Sequence, residues 1–182
     1  MAHEWKLLDT EVVCSDPWGT VYRKTYRLGN GDPDQCHITV QKPEFALIAA
    51  LDEAQNVLLV RQYRHGTDRA YWALPGGFID QDETPLAAAQ RELLEETGYS
   101  ASRATFVGTL HPVPAFLKTA AHIVLCEQLT KVPHAVLDDE IETIASVPLE
   151  TAIERIFAGE IDEMQAVSSL LMVNEFLRRR SG

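Results

Sequence analysis

The first half of the chain alternates short apolar runs with clusters of turn-forming residues. Five runs rich in aliphatic, β-branched or aromatic residues are bounded by polar or Gly/Pro clusters, and they lie at residues 21–28, 36–40, 46–51, 57–60 and 71–74. Runs of this kind predict strands. The turn cluster at 29–33 predicts that the first two form a hairpin, and the polar link at 52–56 predicts a second hairpin between the third and fourth.

The second half adds three helices to further strands. Thr84 is a good N-cap, Pro85 fits the first helical position, and Gly98 fits a left-handed residue just beyond the last turn. After strands at 105–110 and 122–129, Pro148 and Gly159 delimit a second predicted helix at 148–157, and apolar residues at near-helical spacing predict a third at 162–180. The pattern therefore predicts an α/β (α+β) fold, an α/β/α sandwich with a mixed sheet and an N-terminal antiparallel strand extension.

Composition narrows the class of protein. The chain has 182 residues with 16 basic and 27 acidic side chains, a net charge of −11. We expect a cytoplasmic protein with no membrane or nucleic-acid partner, because no apolar run approaches a membrane span and phosphate backbones require clustered Lys and Arg. Cys14, Cys36 and Cys126 share no metal-binding spacing, so reduced and mostly buried thiols are expected.

The predicted helix at 85–97 carries an unusual acidic stripe. At about 100° per residue, Glu92, Glu95 and Glu96 fall on one side, and Leu93 falls on the other. Like charges at these spacings repel, and a divalent cation would remove that cost. Oxygen ligands without His or Cys favour Mg²⁺ or Mn²⁺. A solvated glutamate-rich face is the alternative interpretation.

The stripe belongs to a longer motif. Nine positions satisfy the pattern G-x5-E-x7-R-E-U-x-E-E-x-G-U, where U is aliphatic or aromatic: Gly77, Glu83, Arg91, Glu92, Leu93, Glu95, Glu96, Gly98 and Tyr99. This pattern resembles the Nudix box. The resemblance implies a hydrolase that cleaves a nucleoside diphosphate linked to another moiety, by attack of water on phosphorus with divalent metals bound to the box.

The resemblance also implies roles for the residues of the motif. Glu92 and Glu96 are expected to be the principal metal ligands, supplemented by Glu95 and by the carbonyl oxygen of Gly76. The expected metal is Mg²⁺, with Mn²⁺ as a substitute. Catalytic roles are expected for Glu95 and for two residues that hold the ligand carboxylates in place, Glu83 and Arg91.

A separate carboxylate is expected to act as the catalytic base. In the relatives that hydrolyse ADP-ribose it comes from an acidic loop before the penultimate helix, and residues 138–142 occupy that place here. Glu140 is our candidate. The alternatives are Asp138, Asp139 and Glu142.

Further similarities indicate the branch that acts on ADP-ribose and nucleoside diphosphate sugars. The strand at 59–64 resembles one in which the second arginine contacts the substrate, which makes Arg64 the candidate here. Trp18 is a candidate for stacking on the base, and Arg23 is a weaker candidate for a phosphate or ribose contact.

The resemblance divides the chain into two parts. Residues 1–42 are expected to form a β-meander that helps to build a homodimer and a base pocket, and residues 43–182 the Nudix hydrolase domain. The expected products are a nucleoside monophosphate and a sugar phosphate, from ADP-ribose or a hexose nucleotide. Two alternatives stay open: a hydrolase of dinucleoside polyphosphates or capped RNA, and a Nudix module that senses a nucleotide without cleaving it.

Overall fold

The structure, a computed structural model, describes residues 4–29, 33–133 and 140–182. In chain order its strands and helices are β1 (Trp5–Asp16), β2 (Gly19–Leu28), β3 (Gln35–Gln41), β4 (Phe45–Ala50), β5 (Asn56–Arg64), β6 (Arg69–Ala73), α1 (Pro85–Thr97), β7 (Tyr99–Leu110), β8 (Leu117–Lys118), β9 (Ala121–Lys131), β10 (Ile141–Pro148), α2 (Leu149–Phe157) and α3 (Met164–Ser181). The chain divides into two compact units, which we describe separately.

The N-terminal unit comprises Met1–Glu44 and His111–Ala120. Its sheet has the order β1-β2-β3-β8, in which β1, β2 and β3 are antiparallel and the short β8 runs parallel to β3. The predicted hairpin around the turn at 29–33 is confirmed as β2 and β3. Strand β1 was not predicted: all of its residues are exposed, so the sequence lacks the buried alternate positions that mark a strand.

The main unit comprises Phe45–Leu110 and Ala121–Gly182 and contains two sheets. One is antiparallel with the order β10-β5-β6, and the other is mixed with the order β4-β9-β7, in which β4 and β9 are parallel. The predicted hairpin of β4 and β5 is therefore wrong. These strands belong to different sheets, joined by an isolated bridge from Leu51 to Val57, because β4 is buried on both faces and pairs with β9.

Helices cover both faces of the mixed sheet. On one face, Leu93 of α1 packs with Ile48 and Val124. On the other, Leu170 of α3 packs with Ile123 and residues of α2 and β5. This arrangement confirms the predicted sandwich, and it fixes α1 in one orientation because Ala88, Ala89 and Leu93 are fully buried.

Local signals define both ends of α1. The hydroxyl of Thr84 accepts a hydrogen bond from the Ala87 amide at 3.2 Å, and Pro85 starts the helix. Gly98 has φ 70°, and its amide donates to the carbonyl of Leu94. The predicted boundaries are thus confirmed, since the left-handed backbone at Gly98 stops the helix.

The structure shows the surroundings of the three cysteines and the character of the helices. The three thiols are free, but Cys14 and Cys36 are exposed and only Cys126 is buried, so the expectation that most are buried is wrong. Both exposed thiols lie on strands β1 and β3. Of the helices in the described part of the chain, none has the length and apolar character needed to cross a membrane.

An ion-pair cluster ties the C-terminal helix to the mixed sheet. Arg180 of α3 binds the Glu127 carboxylate of β9 through two hydrogen bonds of 2.8 Å, and Arg103 of β7 donates to it at 2.9 Å. These arginines hold the pKa of Glu127 at about 2, although burial opposes the shift. Because the folded pKa lies below the ordinary value of 4.5, the carboxylate stabilises the fold above pH 4.5, and this contribution is lost as the pH falls towards 2.

We predict that Glu127→Gln lowers the free energy of unfolding at neutral pH by about 2 kcal/mol, less than the full shift implies because both arginines are partly exposed. Urea unfolding of both proteins should show this difference falling to about half near pH 3. The matched control is Glu175→Gln, on the exposed face of α3, which should change stability little at either pH. A constant difference between wild type and Glu127→Gln across this pH range would contradict the linkage.

Candidate active site

The loop after β6 brings a backbone amide to the acidic stripe of α1. The carbonyls of Pro75 and Gly77 accept hydrogen bonds from the amides of Ile48 and Ala46, both at 2.9 Å. The intervening Gly76 turns the other way, and its amide donates to the Glu96 carboxylate at 2.9 Å.

A side chain at position 76 would collide with backbone, and one at position 77 would displace a carboxylate. A Cβ at Gly76, where φ is +157°, would lie 2.2 Å from the carbonyl oxygen of Ala46. A Cβ at Gly77 would lie 2.3 Å from Oε1 of Glu92. The two glycines therefore let the loop contact β4 on one side and a carboxylate of α1 on the other.

Arg91 links three of the acidic residues. Its Nη1 donates to Oε1 of Glu92 at 2.7 Å and to Oε2 of Glu95 at 3.1 Å. Its Nε and Nη2 bind both oxygens of Glu83, at 3.1 and 2.9 Å, and Nη2 also donates to the carbonyl of Phe78 at 3.0 Å. The guanidinium thus fixes the loop before α1 against the helix and orients the carboxylates.

The pKa shifts follow from these contacts. The hydrogen bonds from Arg91 lower the pKa of Glu83, and the same pairing raises the pKa of Arg91. The pKa of Glu92 is raised, because burial of its carboxylate outweighs the attraction of Arg91 and the neighbouring charges of Glu95 and Glu83 add to the effect. Burial therefore disfavours the charged form of the Glu92 carboxylate.

The donor set suits a hard divalent cation. Glu92, Glu95 and Glu96 offer carboxylate oxygens and Gly76 offers a carbonyl, which are the ligand types that Mg²⁺ and Mn²⁺ prefer. Within residues 4–29, 33–133 and 140–182, no group of three or more His, Cys, Asp or Glu side chains is arranged to hold a metal ion. Arg91 binds Glu92 and Glu95 instead, so a cation would compete with the guanidinium for these oxygens.

The two described candidates for the base have different partners. Glu140, just before β10, accepts a hydrogen bond from Nε2 of Gln62 at 3.1 Å. Glu142 lies on β10 and pairs with Nε of Arg61 at 3.3 Å. The segment predicted as an acidic loop thus becomes a strand from residue 141. The other two candidates, Asp138 and Asp139, lie outside the described residues.

Gln62 is a residue that the sequence analysis did not identify. It lies on β5 between two exposed neighbours, yet only 7% of its surface is exposed. A buried amide in a strand needs hydrogen-bond partners, and a polar residue at a buried position of the alternation was the available signal. Its contact with Glu140 joins residues that are 78 positions apart.

The predicted substrate-binding residues have contacts with residues outside the Arg91 network. Arg64, at the end of β5, pairs with Glu163, the N-cap of α3, at 3.6 Å. In the N-terminal unit, Trp18 is 66% exposed in the turn between β1 and β2, and Arg23 donates to Glu11 at 2.6 Å. Direct contacts thus join the residues of the motif with Gly76, whereas Arg64, Trp18 and Arg23 each belong to another local group.

Comparison with known proteins identifies the class of protein. A model of the NUDIX domain matches residues 41–166, so the chain belongs to the NUDIX family, as the motif predicted. It is a Nudix hydrolase, and members of this family generally use divalent metal ions.

Individual relatives cover nearly the whole chain. It is 28% identical over 160 residues to an ADP-ribose pyrophosphatase of Bacillus subtilis, spanning 87% of this chain and 86% of the relative. It is 29% identical over 169 residues to a CMP-5'-(N-acetyl-N-hydroxy-3-aminopropyl)phosphonate hydrolase of Streptomyces rubellomurinus, spanning 93% of this chain and 82% of the relative. A crystal structure of an ADP compounds hydrolase superposes on this chain with a TM-score of 0.86 at 26% identity. The superposition covers 97% of this chain and 96% of the other. The predicted Nudix fold is therefore confirmed.

We predict that Gly77→Ala weakens divalent metal binding while the protein stays folded. The new methyl group meets the flexible end of Glu92, which can move away, so the cost falls on the carboxylate position. Titration with Mn²⁺ should show binding weaker by about tenfold or more. In the control Gly66→Ala, no atom lies within 4 Å of the added Cβ, and binding should match wild type. Unchanged Mn²⁺ affinity in Gly77→Ala would reject Glu92 as a ligand.

Proposed function

We propose that the protein hydrolyses the diphosphate of a nucleoside diphosphate sugar in a Mg²⁺-dependent reaction. The products are a nucleoside monophosphate and a sugar phosphate. The observation that carries the proposal is the arrangement of Gly76, Arg91 and the carboxylates of α1, which places hard oxygen donors beside a glycine loop. The relatives named for ADP-ribose and ADP compounds support this substrate class.

The chemistry follows from charge. A diphosphate repels hydroxide, and bound Mg²⁺ would neutralise its oxygens and lower the pKa of a coordinated water. Glu92 and Glu96, with Glu95 and the Gly76 carbonyl, are the residues that would hold the cation. Arg91 keeps its two hydrogen bonds to Glu83, so the side chain stays oriented when its contacts with Glu92 and Glu95 are exchanged for metal.

We assign the proton transfer to Glu140. Its carboxylate accepts the proton of the attacking water, and the buried amide of Gln62 orients it. Glu142 is less suited, because its carboxylate pairs with Arg61 along the sheet. Arg64 is proposed to contact a substrate phosphate, with Trp18 stacking on the base and Arg23 binding a phosphate or ribose.

We also propose a homodimer that forms through the N-terminal unit. Strand β1 is an edge strand that carries exposed apolar side chains, among them Trp5 at 49%, Leu7 at 48% and Val12 at 57% exposure. A sheet edge of this kind is a ready site for pairing with a second copy. The proposal includes a cytoplasmic location, where Mg²⁺ and nucleotide sugars occur together, and no nucleic-acid or membrane partner.

The substrate class is tested with a panel of nucleotides. With Mg²⁺, the purified protein should convert ADP-ribose or a hexose nucleotide to phosphatase-sensitive products, and EDTA should abolish the reaction. Mass analysis of products formed in ¹⁸O-water identifies the attacked phosphorus. Cleavage of dinucleoside polyphosphates or capped RNA with intact nucleotide sugars would overturn the substrate class. Tight binding of ADP-ribose without cleavage would favour a nucleotide sensor.

The base is tested by comparing two neighbouring carboxylates. We expect Glu140→Gln to lower kcat by about 10² to 10⁴, the range for a lost general base, with KM and Mn²⁺ affinity nearly unchanged. Glu142→Gln removes the same charge two residues away and serves as the matched control, with kcat close to wild type. Wild-type kcat in Glu140→Gln together with a large loss in Glu142→Gln would move the role to Glu142.

The dimer is tested by light scattering. The expected mass is twice the 20.3 kDa of the chain. Val12→Arg should shift the protein to the monomer, because a buried charge at the centre of an apolar interface is costly. Phe157→Arg, at an apolar residue of α2 that is 80% exposed, is the matched control and should stay dimeric. A monomeric wild-type protein would contradict the proposal.

A further inference from the structure

The N-terminal unit contains a cavity of about 660 Å³, which we call the lysine cavity. Its walls come from β2, β3 and the segment 111–120, and the residues that matter here are Lys24, Thr39, Lys42, His111, Phe116 and Lys118. This volume lies in the range of small-molecule sites, about 300 to 1,000 Å³.

Positive charge is concentrated in this cavity. The chain has five lysines and a net charge of −11, and three of those lysines line this one cavity: Lys24, Lys42 and Lys118. Glu44 is the acidic residue in its wall. A concentration of like charge on an otherwise acidic protein favours a bound anion, which would offset the mutual repulsion of the ammonium groups.

Strand register places much of this lining on one face of the sheet. Lys24 is two residues beyond Tyr22, which pairs with Thr39, so the two side chains share a face. Gln41 lies two residues after Thr39 on the same face, and it pairs with Lys118 of β8. The two ammonium groups and the hydroxyl of Thr39 therefore project to the same side of the sheet.

The hydroxyl of Thr39 is a polar group that needs a partner. Its Oγ1 is buried and has no hydrogen-bond partner among the residues that the structure describes. Most buried hydroxyls in folded proteins are hydrogen bonded. Thr39 lines the cavity, so rotation of its side chain would bring the hydroxyl within reach of a ligand oxygen.

Hydrogen bonds fix the wall formed by the segment 111–120. The amides of Val40 and Lys42 donate to the carbonyls of Phe116 and Lys118, at 2.7 and 3.1 Å. The Thr119 hydroxyl donates to the carbonyl of Pro43 at 2.6 Å. The cavity is thus built before any ligand binds, which lowers the entropic cost of binding.

The lining also includes an aromatic surface. Phe116 is 48% exposed and lines the cavity, so part of its ring is open to a ligand. Pro114 lies beside it in the same wall. A planar or apolar group attached to the anion would contact these rings.

We propose that the lysine cavity binds a phosphate-bearing small molecule directly through side chains. Lys24, Lys118 and the hydroxyl of Thr39 hold the phosphate, Lys42 adds positive charge, and Phe116 packs against the rest of the ligand. This site goes beyond the proposed hydrolysis, in which acidic residues hold a cation. It binds its anion without a metal.

Calorimetry in EDTA separates this site from any metal-dependent binding. The probes are AMP, ribose 5-phosphate and inorganic phosphate, used with the full chain. We expect AMP to bind the wild type, and the double variant Lys24→Gln and Lys118→Gln to bind at least about tenfold more weakly. Lys6→Gln, on the exposed strand β1, is a control that removes one lysine charge and should bind like wild type.

Two further variants test the other contacts. Thr39→Val should weaken the binding of all three probes, because it removes the hydroxyl and keeps the shape of the side chain. Phe116→Ala should weaken the binding of AMP and leave the affinity for inorganic phosphate unchanged. The proposal is overturned if none of the probes binds the wild type in EDTA, or if the double lysine variant binds them equally well. Melting temperatures close to wild type show that the variants are folded.

Discussion

The site depends on three carboxylates, Glu92, Glu95 and Glu96, which lie on one face of α1 within a turn and a half. Arg91 offsets part of their mutual repulsion, because its guanidinium contacts Glu92 and Glu95 of the helix together with Glu83 of the preceding loop. Arg91 is therefore the internal counterion of the site. It holds the carboxylates in place when no cation is bound, and its contacts with Glu92 and Glu95 are the ones that a cation would replace.

The loop before the helix completes this arrangement from the other side. Gly76 donates to Glu96, which is 4% exposed, so a backbone amide holds this carboxylate. The four acidic residues thus have two kinds of support: Arg91 for three and a backbone amide for one. Glycine at 76 and 77 is what allows the loop to approach both β4 and α1 closely. The glycines of this loop, its close approach to β4 and its hydrogen bond to Glu96 together determine the geometry of the site.

Local patterns in the sequence were sufficient for α1 and its motif, since caps, periodicity and spacing all lie within a few residues of each other. Pairing between distant residues was not predictable in the same way. The link at 52–56 looked like a hairpin, but β4 pairs with β9 because a strand that is buried on both faces needs neighbours that a short link cannot specify. Strand β1 gave no signal because both of its faces are exposed. The contact of Gln62 with Glu140 depends on the pairing of β5 with β10, which no local pattern reveals.

Charge is used in two opposite ways in the two units. In the main unit, acidic side chains surround an arginine, and their oxygens are the kind of donor that a divalent cation prefers. In the N-terminal unit, lysines line a cavity with a buried hydroxyl, an arrangement that attracts an anion directly. Three lysines and one acidic residue, Glu44, line this cavity, so its wall carries an excess of positive charge on an otherwise acidic chain. The acidic stripe of α1 and the lysine cavity therefore suit ligands of opposite charge.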